Sequence, residues 1–256
     1  MTLLEKMKAE FPDLTSNESL GYIMCGEVMV NGEKIVNPKF NVKNDVIIDL
    51  ITKKFVSRGG LKLEEALSRW NIKCEGKVFL DAGSSTGGFT DALLQRGAAG
   101  VHSVDVGYNQ LAYSLRKNPL VYVHEKTNIM EVETLDPPAD AGIADLSFRS
   151  ITGAASKIID LVKEKWLIAL IKPQFEVSVA DKKNFNGVIN DKTLLFDTVM
   201  KTARSILKEG LSISDVILSP VTGRKGNTEF FFFINSGDKG TGKDLEKIIH
   251  NLVFFP

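Results

Sequence analysis

The apolar triplet Val78-Phe79-Leu80 runs directly into Asp81-Ala82-Gly83-Ser84-Ser85-Thr86-Gly87-Gly88-Phe89, and a helical pattern follows to Arg96. A strand that turns through several glycines into a helix admits few folds, because glycine alone allows both the tight turn and a close backbone approach to a ligand. Short apolar runs then alternate with helical patterns. Strands are predicted at Val101 to Val104, Val121 to Val123, Ala141 to Ala144, Trp166 to Ile171, Leu211 to Leu218 and Glu229 to Ile234. Helices are predicted at Gln110 to Arg116, Ile151 to Val162 and Lys192 to Lys208. This rhythm predicts an α/β fold with a seven-stranded, mostly parallel sheet covered on both faces. The Ser219-to-Asn227 connection has no room for a helix, so the last two strands are expected to pair antiparallel.

The first fifty residues read differently. Two small helices are predicted between Leu3 and Cys25, broken at Pro12-Asp13, with Thr15 or Ser16 capping the second. Glu27 to Val30, the turn Asn31-Gly32 and Lys34 to Val36 form a hairpin pattern, closed by a strand at Val46 to Ile48. The expected organisation is a small α+β unit over 1–50, a polar linker over 51–57, an α/β domain over 58–236 and a C-terminal tail over 237–256. A helix over Gly59 to Trp70 opens the larger domain.

Composition removes several classes of function. With 43 % hydrophobic and 25 % charged residues, the chain has the make-up of a packed globular protein. Only Cys25 and Cys74 are present, which excludes a disulfide framework and points to a reducing cytoplasm. No apolar run reaches the roughly 18 residues of a membrane helix, and Met1 to Glu10 lacks a signal-peptide core. His102, His124 and His250 lack metal-ligand spacing, so no metal is expected. Net charge is zero, but five lysines face eight carboxylates in residues 1–50, against 24 basic and 21 acidic residues in 51–236. The larger domain is mildly basic.

The loop chemistry selects a cofactor. Asp81 ends the first strand of the domain, and a carboxylate beside a hydroxyl-rich loop suits a cationic, amino-acid-bearing ligand better than a pyrophosphate. Asp105 ends the second strand, where a carboxylate can accept both hydroxyls of a ribose. Together they suggest S-adenosylmethionine. The cofactor set predicted from the loop and the strand ends is Asp81, Gly83, Ser84, Ser85, Thr86, Gly87, Gly88, Phe89, Asp105 and Asp145. The run Phe230 to Phe233 is expected to be a strand buried on both faces rather than a base-stacking surface.

Six blocks in order carry a family resemblance over about residues 15–236. They are Val56 to Leu63, Asp81 to Asp91, Val104 to Leu111, Asp145-Leu146-Ser147-Phe148, Ile171 to Glu176, and Gly226 to Phe230. The chain resembles the hemolysin A (TlyA) family of ribosomal RNA methyltransferases, whose catalytic domain is FtsJ-like and of the class I, Rossmann-like fold. Its N-terminal module resembles the RNA-binding domain of ribosomal protein S-four. The resemblance implies a Lys-Asp-Lys-Glu tetrad at Lys62, Asp145, Lys172 and Glu229, transfer of a methyl group to a cytidine 2′-hydroxyl, and an adenine contact that adds Asn128 to the cofactor set. It implies ribosomal RNA or ribosomal subunits as partner. A ribose hydroxyl is a poor nucleophile, and its attack on a sulfonium methyl is helped by a base that removes or orients its proton. Lys172 is assigned that role, with Lys62 as the neighbouring cation, Asp145 orienting Lys172, and Glu229 anchoring Lys62 or steering the hydroxyl. Lys53, Lys54 and Arg58 are the expected RNA-binding cations. Two rival functions remain open at this point: a hemolysin, and a catalytically silent RNA-binding assembly factor.

Overall fold

The computed structural model describes residues 1–24, 26–50, 54–147, 149–177, 187–223, 225–237 and 244–255. Lys53, Cys25 and Phe148 therefore lie outside the described residues. The chain divides into two compact units, Met1–Lys54 and Phe55–Pro256.

In the first unit, helix α1 (Leu3–Glu10) starts at a reciprocal cap in which Thr2 and Glu5 each satisfy the other's backbone N–H. Helix α2 (Ser16–Met24) uses Thr15 and Glu18 in the same way, so Thr15, not Ser16, is the cap. Strands β1 (Val28–Val30) and β2 (Glu33–Lys34) are joined by Asn31 and Gly32 at φ 49° and 82°. Both central residues at positive φ make the two-residue turn that Asn-Gly predicts. Strand β3 (Ile48–Leu50) pairs antiparallel with β1, with Ile48 opposite Val30. It begins two residues later than the predicted strand, and Ile47 N–H is taken by the Asn31 side chain at 2.8 Å. Leu3, Met7, Ile23, Val28, Val30, Val42 and Ile48 form this unit's core.

The second unit begins earlier than the predicted linker end. The Phe55 ring is 3 % exposed and lies so close to Gly60 that a Cβ there would sit 2.2 Å from it. Asp91 accepts a hydrogen bond from Val56 N–H at 2.7 Å, and Ser57 caps helix α3 (Arg58–Arg69). Phe55 to Ser57 are thus the foundation of α3.

The sheet contains β4 (Val78–Ala82), β5 (Gly100–Val104), β6 (Val121–His124), β7 (Ala141–Ala144), β8 (Trp166–Ile171), β9 (Leu211–Leu218) and β10 (Phe230–Ser236), in the order β6-β5-β4-β7-β8-β10-β9. Strands β4 to β8 pair parallel, while β10 pairs antiparallel with both β8 and β9. Burial on both faces explains the unbroken apolar runs. Leu167, Ala169 and Ile171, with Phe230 and Phe232, join one core, which is covered by α6 (Ala154–Leu161), α8 (Lys192–Lys208) and α9 (Leu245–Phe254). Trp166, Ile168, Leu170 and Phe231 join the other, covered by α3 and α4 (Gly88–Gln95). Helix α9 brings Leu245, Ile249 and Val253 into the first core, so the C-terminal segment is part of the second unit rather than an appended tail. The described residues of the unit also include two short α-helices, α5 (Tyr113–Arg116) and α7 (Pro173–Glu176), and a helical turn at Ile129–Glu131.

His102 and His124 are structural, joined at the β5–β6 edge. His102 Nε2 lies 2.7 Å from the Pro137 carbonyl, which only accepts, so that nitrogen carries the proton. The neutral ring's Nδ1 then accepts from His124 Nε2–H at 2.9 Å. Burial holds both imidazoles below their ordinary range. A histidine with a depressed native pKa binds protons more readily when unfolded, so its stabilising effect is present above about pH 6.5 and is lost as pH falls. The stability of wild type relative to His124→Gln is expected to shrink between pH 7 and 5, as read by paired thermal melts. A constant difference would show that the pair does not titrate.

Candidate active site

The carboxyl ends of β4, β5, β7 and β8 and the start of β10 meet at one edge of the sheet. Continuing the registers places Gly83 beside Asp145 and Glu229 opposite Lys172. The predicted tetrad is brought to this edge as two ion pairs. Lys172 Nζ lies 2.6 Å from Asp145 Oδ1 and donates to Ser147 Oγ at 2.7 Å. The approach to Asp145 lacks hydrogen-bond alignment, so that pairing is Coulombic and Asp145 Oδ1 accepts no hydrogen bond from the described residues. Lys62 Nζ donates to Glu229 Oε2 at 2.5 Å, and their side chains are only 11 % and 3 % exposed. Residues 167 positions apart are therefore joined in a nearly dry pair.

The loop after β4 is shaped by three positive φ angles, 88° at Gly83, 49° at Ser85 and 93° at Gly87. Gly83 is held against β7: a Cβ there would lie 2.6 Å from the Asp145 carbonyl oxygen. Gly83→Ala is expected to cost about 1–3 kcal/mol from backbone strain alone, with a further loss of cofactor binding as the loop is displaced. Thermal melts and calorimetry check this, and unchanged melting and affinity would contradict it.

Asp81 is fully buried at the base of the loop. Its Oδ2 accepts from Thr90 Oγ1 at 2.7 Å, Thr90 Oγ1 lies 2.8 Å from Ser103 Oγ, and Asp81 Oδ1 has no partner among the described residues. Burial pushes its carboxyl up to about 7. An orphaned buried carboxylate oxygen is the feature expected of a site for a cationic group. Asp105 accepts from Ser85 N–H at 2.8 Å and from Gly107 N–H at 2.7 Å, which fixes the carboxylate and leaves lone pairs on both oxygens for ribose hydroxyls. Ser84 is buried and its N–H bonds the Val104 carbonyl, while the Thr86 carbonyl accepts from Ala112 N–H. These residues fit S-adenosylmethionine.

Other predicted cofactor contacts have different surroundings. A Cβ on Gly87 would meet Leu115 at 2.3 Å, and one on Gly88 would meet Ser57 Oγ at 2.1 Å. Both glycines permit close packing of protein against protein. Phe89 is 2 % exposed and its ring packs 6.1 Å from that of Phe231, so it belongs to the core beneath the loop. Asn128 Oδ1 accepts from Met130 N–H at 3.1 Å, capping the short turn Ile129–Glu131. Among the predicted RNA cations, Lys54 and Arg58 are exposed, and Arg58 donates to the Thr222 carbonyl at 3.2 Å.

Three supporting residues are invisible to local sequence patterns. Asn227, 4 % exposed, accepts from Ile189 N–H at 3.0 Å and donates to the Gly187 carbonyl at 2.8 Å, pinning the chain that leads into α8. Gly223 leaves room for Glu229, since a Cβ would lie 2.6 Å from Glu229 Oε1. Glu176 accepts from Ile151 N–H at 2.9 Å, fastening α7 to the segment after β7, and burial raises its pKa. The only sequence trace of these residues is their place in or beside the recurrent blocks around Lys172 and Glu229.

Sheet order and loop define a class I methyltransferase domain. The match to the FtsJ-like methyltransferase family spans residues 55–236, and the chain belongs to that family. It is 36 % identical over 239 residues to the 16S/23S rRNA (cytidine-2′-O)-methyltransferase TlyA of Mycobacterium tuberculosis, covering 90 % of this chain and 89 % of that one. It is 35 % identical to Hemolysin A of Brachyspira hyodysenteriae, covering 90 % and 98 %. A solved structure from Streptococcus thermophilus, provisionally described as a hemolysin, superposes with a TM-score of 0.73 at 29 % identity, covering 99 % and 94 %.

Proposed function

We propose that this protein methylates the 2′-hydroxyl of a cytidine ribose in ribosomal RNA, using S-adenosylmethionine. The observation that carries the reading is the convergence of the Lys172–Asp145 and Lys62–Glu229 pairs on the sheet edge beside the Asp81–Asp105 loop. The relatives named as cytidine-2′-O-methyltransferases supply the substrate class.

When bound, the cofactor supplies an electrophilic methyl on a sulfonium. Asp81 would hold its ammonium and Asp105 its ribose. Lys172, as the neutral amine, would accept the proton of the 2′-hydroxyl while the oxygen–methyl bond forms and the sulfonium–methyl bond breaks to leave a neutral thioether, and Asp145 would stabilise the ammonium formed on Lys172. Ser147 fixes the direction of the Lys172 side chain. Lys62 offers a second positive charge to the developing alkoxide, and Glu229 sets its position. Lys53, Lys54 and Arg58 contact RNA phosphates, and the unit at 1–50 positions the RNA rather than gripping it by charge. A ribosomal RNA substrate supports a cytoplasmic location for this activity. No helix among the described residues is long and apolar enough to cross a membrane.

Mapping of ribose methylation in ribosomal RNA from cells with and without the gene tests the reading. A cytidine 2′-O-methyl that vanishes with the gene, and returns with wild type but not Lys172→Ala, supports it. An unchanged methylation map contradicts it.

A further inference from the structure

Three carboxylates crowd the cofactor edge, and among the described residues two of them have a charge partner or a donor on each oxygen. Asp145 faces the Lys172 ammonium, and Asp105 takes two backbone N–H groups. Asp81, on the strand between them, is 0 % exposed; its Oδ2 accepts from the Thr90 hydroxyl, whose own oxygen is shared with Ser103, and the Thr90 backbone also favours its charged form. Its Oδ1 has no partner among the described residues. An isolated carboxylate so placed is costly, and a buried group in that position neutralises itself by taking a proton.

Resting on the reading of Asp81 as a cofactor-binding residue, we propose that Asp81 is a carboxylic acid in the ligand-free protein and releases its proton when S-adenosylmethionine binds, making cofactor capture proton-coupled. The balance is simple: the neutral acid gives one proton to solvent, and the resulting carboxylate pairs with the ligand's ammonium, which stays protonated. The physical direction agrees at every contact. Burial is the largest influence and raises the acid; Thr90 opposes it, the nearby Asp145 and Asp105 charges add to it, and together they push the carboxyl up to about 7. A cation delivered to Oδ1 reverses this balance by favouring the charged form. Because the bound state holds fewer protons, cofactor affinity rises with pH until the free acid is already ionised, near neutrality, and then levels. The ligand's own α-amino group titrates higher, at about 7.7–8.0, and therefore stays protonated both free and bound between about pH 5.5 and 6.5.

Titration calorimetry of the full chain with S-adenosylmethionine at pH 6, in two buffers of different ionisation enthalpy, measures the proton directly. Release approaching one proton per ligand is expected, with Kd falling nearly tenfold per pH unit between pH 5.5 and 6.5. Asp81→Asn is expected to bind more weakly, with no proton released and no pH dependence over that range. An infrared carboxylic-acid band in the wild type that disappears on adding cofactor gives the same answer without a variant, should Asp81→Asn fold poorly. Buffer-independent heats and a flat Kd in the wild type overturn the proton coupling while leaving Asp81 as a cofactor residue if Asp81→Asn still weakens binding. Wild-type affinity in Asp81→Asn overturns the reading of Asp81 itself.

Discussion

Lys172→Ala is expected to lower methyl transfer by about 10²- to 10⁴-fold, the range that general-base groups supply, while cofactor binding persists. The separation follows from position. Lys172 lies at the end of β8 between Asp145 and Ser147, whereas the predicted cofactor residues Asp81 and Asp105 end β4 and β5. Lys172→Arg sharpens the test. Arginine keeps the positive charge beside Asp145 but does not give up its proton, so an arginine variant as inactive as alanine assigns proton acceptance to Lys172. Recovery of substantial turnover by arginine would assign Lys172 an electrostatic role only, and normal turnover by Lys172→Ala would remove it from the mechanism. Calorimetry with S-adenosylmethionine and single-turnover methylation of ribosomal RNA read the two halves independently.

The largest effect on stability is expected at the other pair. Removing one member of a buried ion pair leaves an uncompensated charge and typically costs about 3–5 kcal/mol. Lys62 and Glu229 meet that condition, with side chains 11 % and 3 % exposed. Glu229→Leu and Lys62→Met should each lower the denaturation midpoint sharply. The double variant Lys62→Met/Glu229→Leu should recover much of the loss, because two apolar side chains are cheap to bury together, yet it should stay inactive. Additive losses in the double variant would show that the two residues are energetically independent and that their contact does not stabilise the fold. Chemical denaturation followed by circular dichroism measures all three.

The strands were legible wherever burial on both faces leaves an uninterrupted apolar run: β7 and β8 have the predicted bounds, as does the edge strand β9 despite Ser212, Ser214 and Asp215. Helix α8 is equally plain, since Asp191 caps its first turn and its apolar positions face one core. Helix α6 begins three residues later than periodicity predicts, because Gly153 takes φ 76° immediately before it. The four-residue α7 was not legible, being too short to have a period; Pro173 at its start is its only local signal. At the site, the nature of each tetrad residue was legible but the division into pairs was only partly so. Lys62 and Glu229 find each other through the packing of α3 and the antiparallel placement of β10, and no local spacing encodes such a contact. Glycine was the least transparent residue: Gly83, Gly87 and Gly88 occupy one loop, yet each makes room for a different neighbour, the Asp145 backbone, Leu115 and Ser57. Loop composition announces closeness without saying what approaches.

Incubation of the purified protein with methyl-labelled S-adenosylmethionine and unmodified ribosomal RNA, followed by nucleoside mass spectrometry, tests the central claim most directly. Label is predicted in 2′-O-methylcytidine, and none is expected with Lys172→Ala. Label on a nucleobase, on another nucleoside's ribose, or undiminished in the Lys172→Ala reaction would contradict the account.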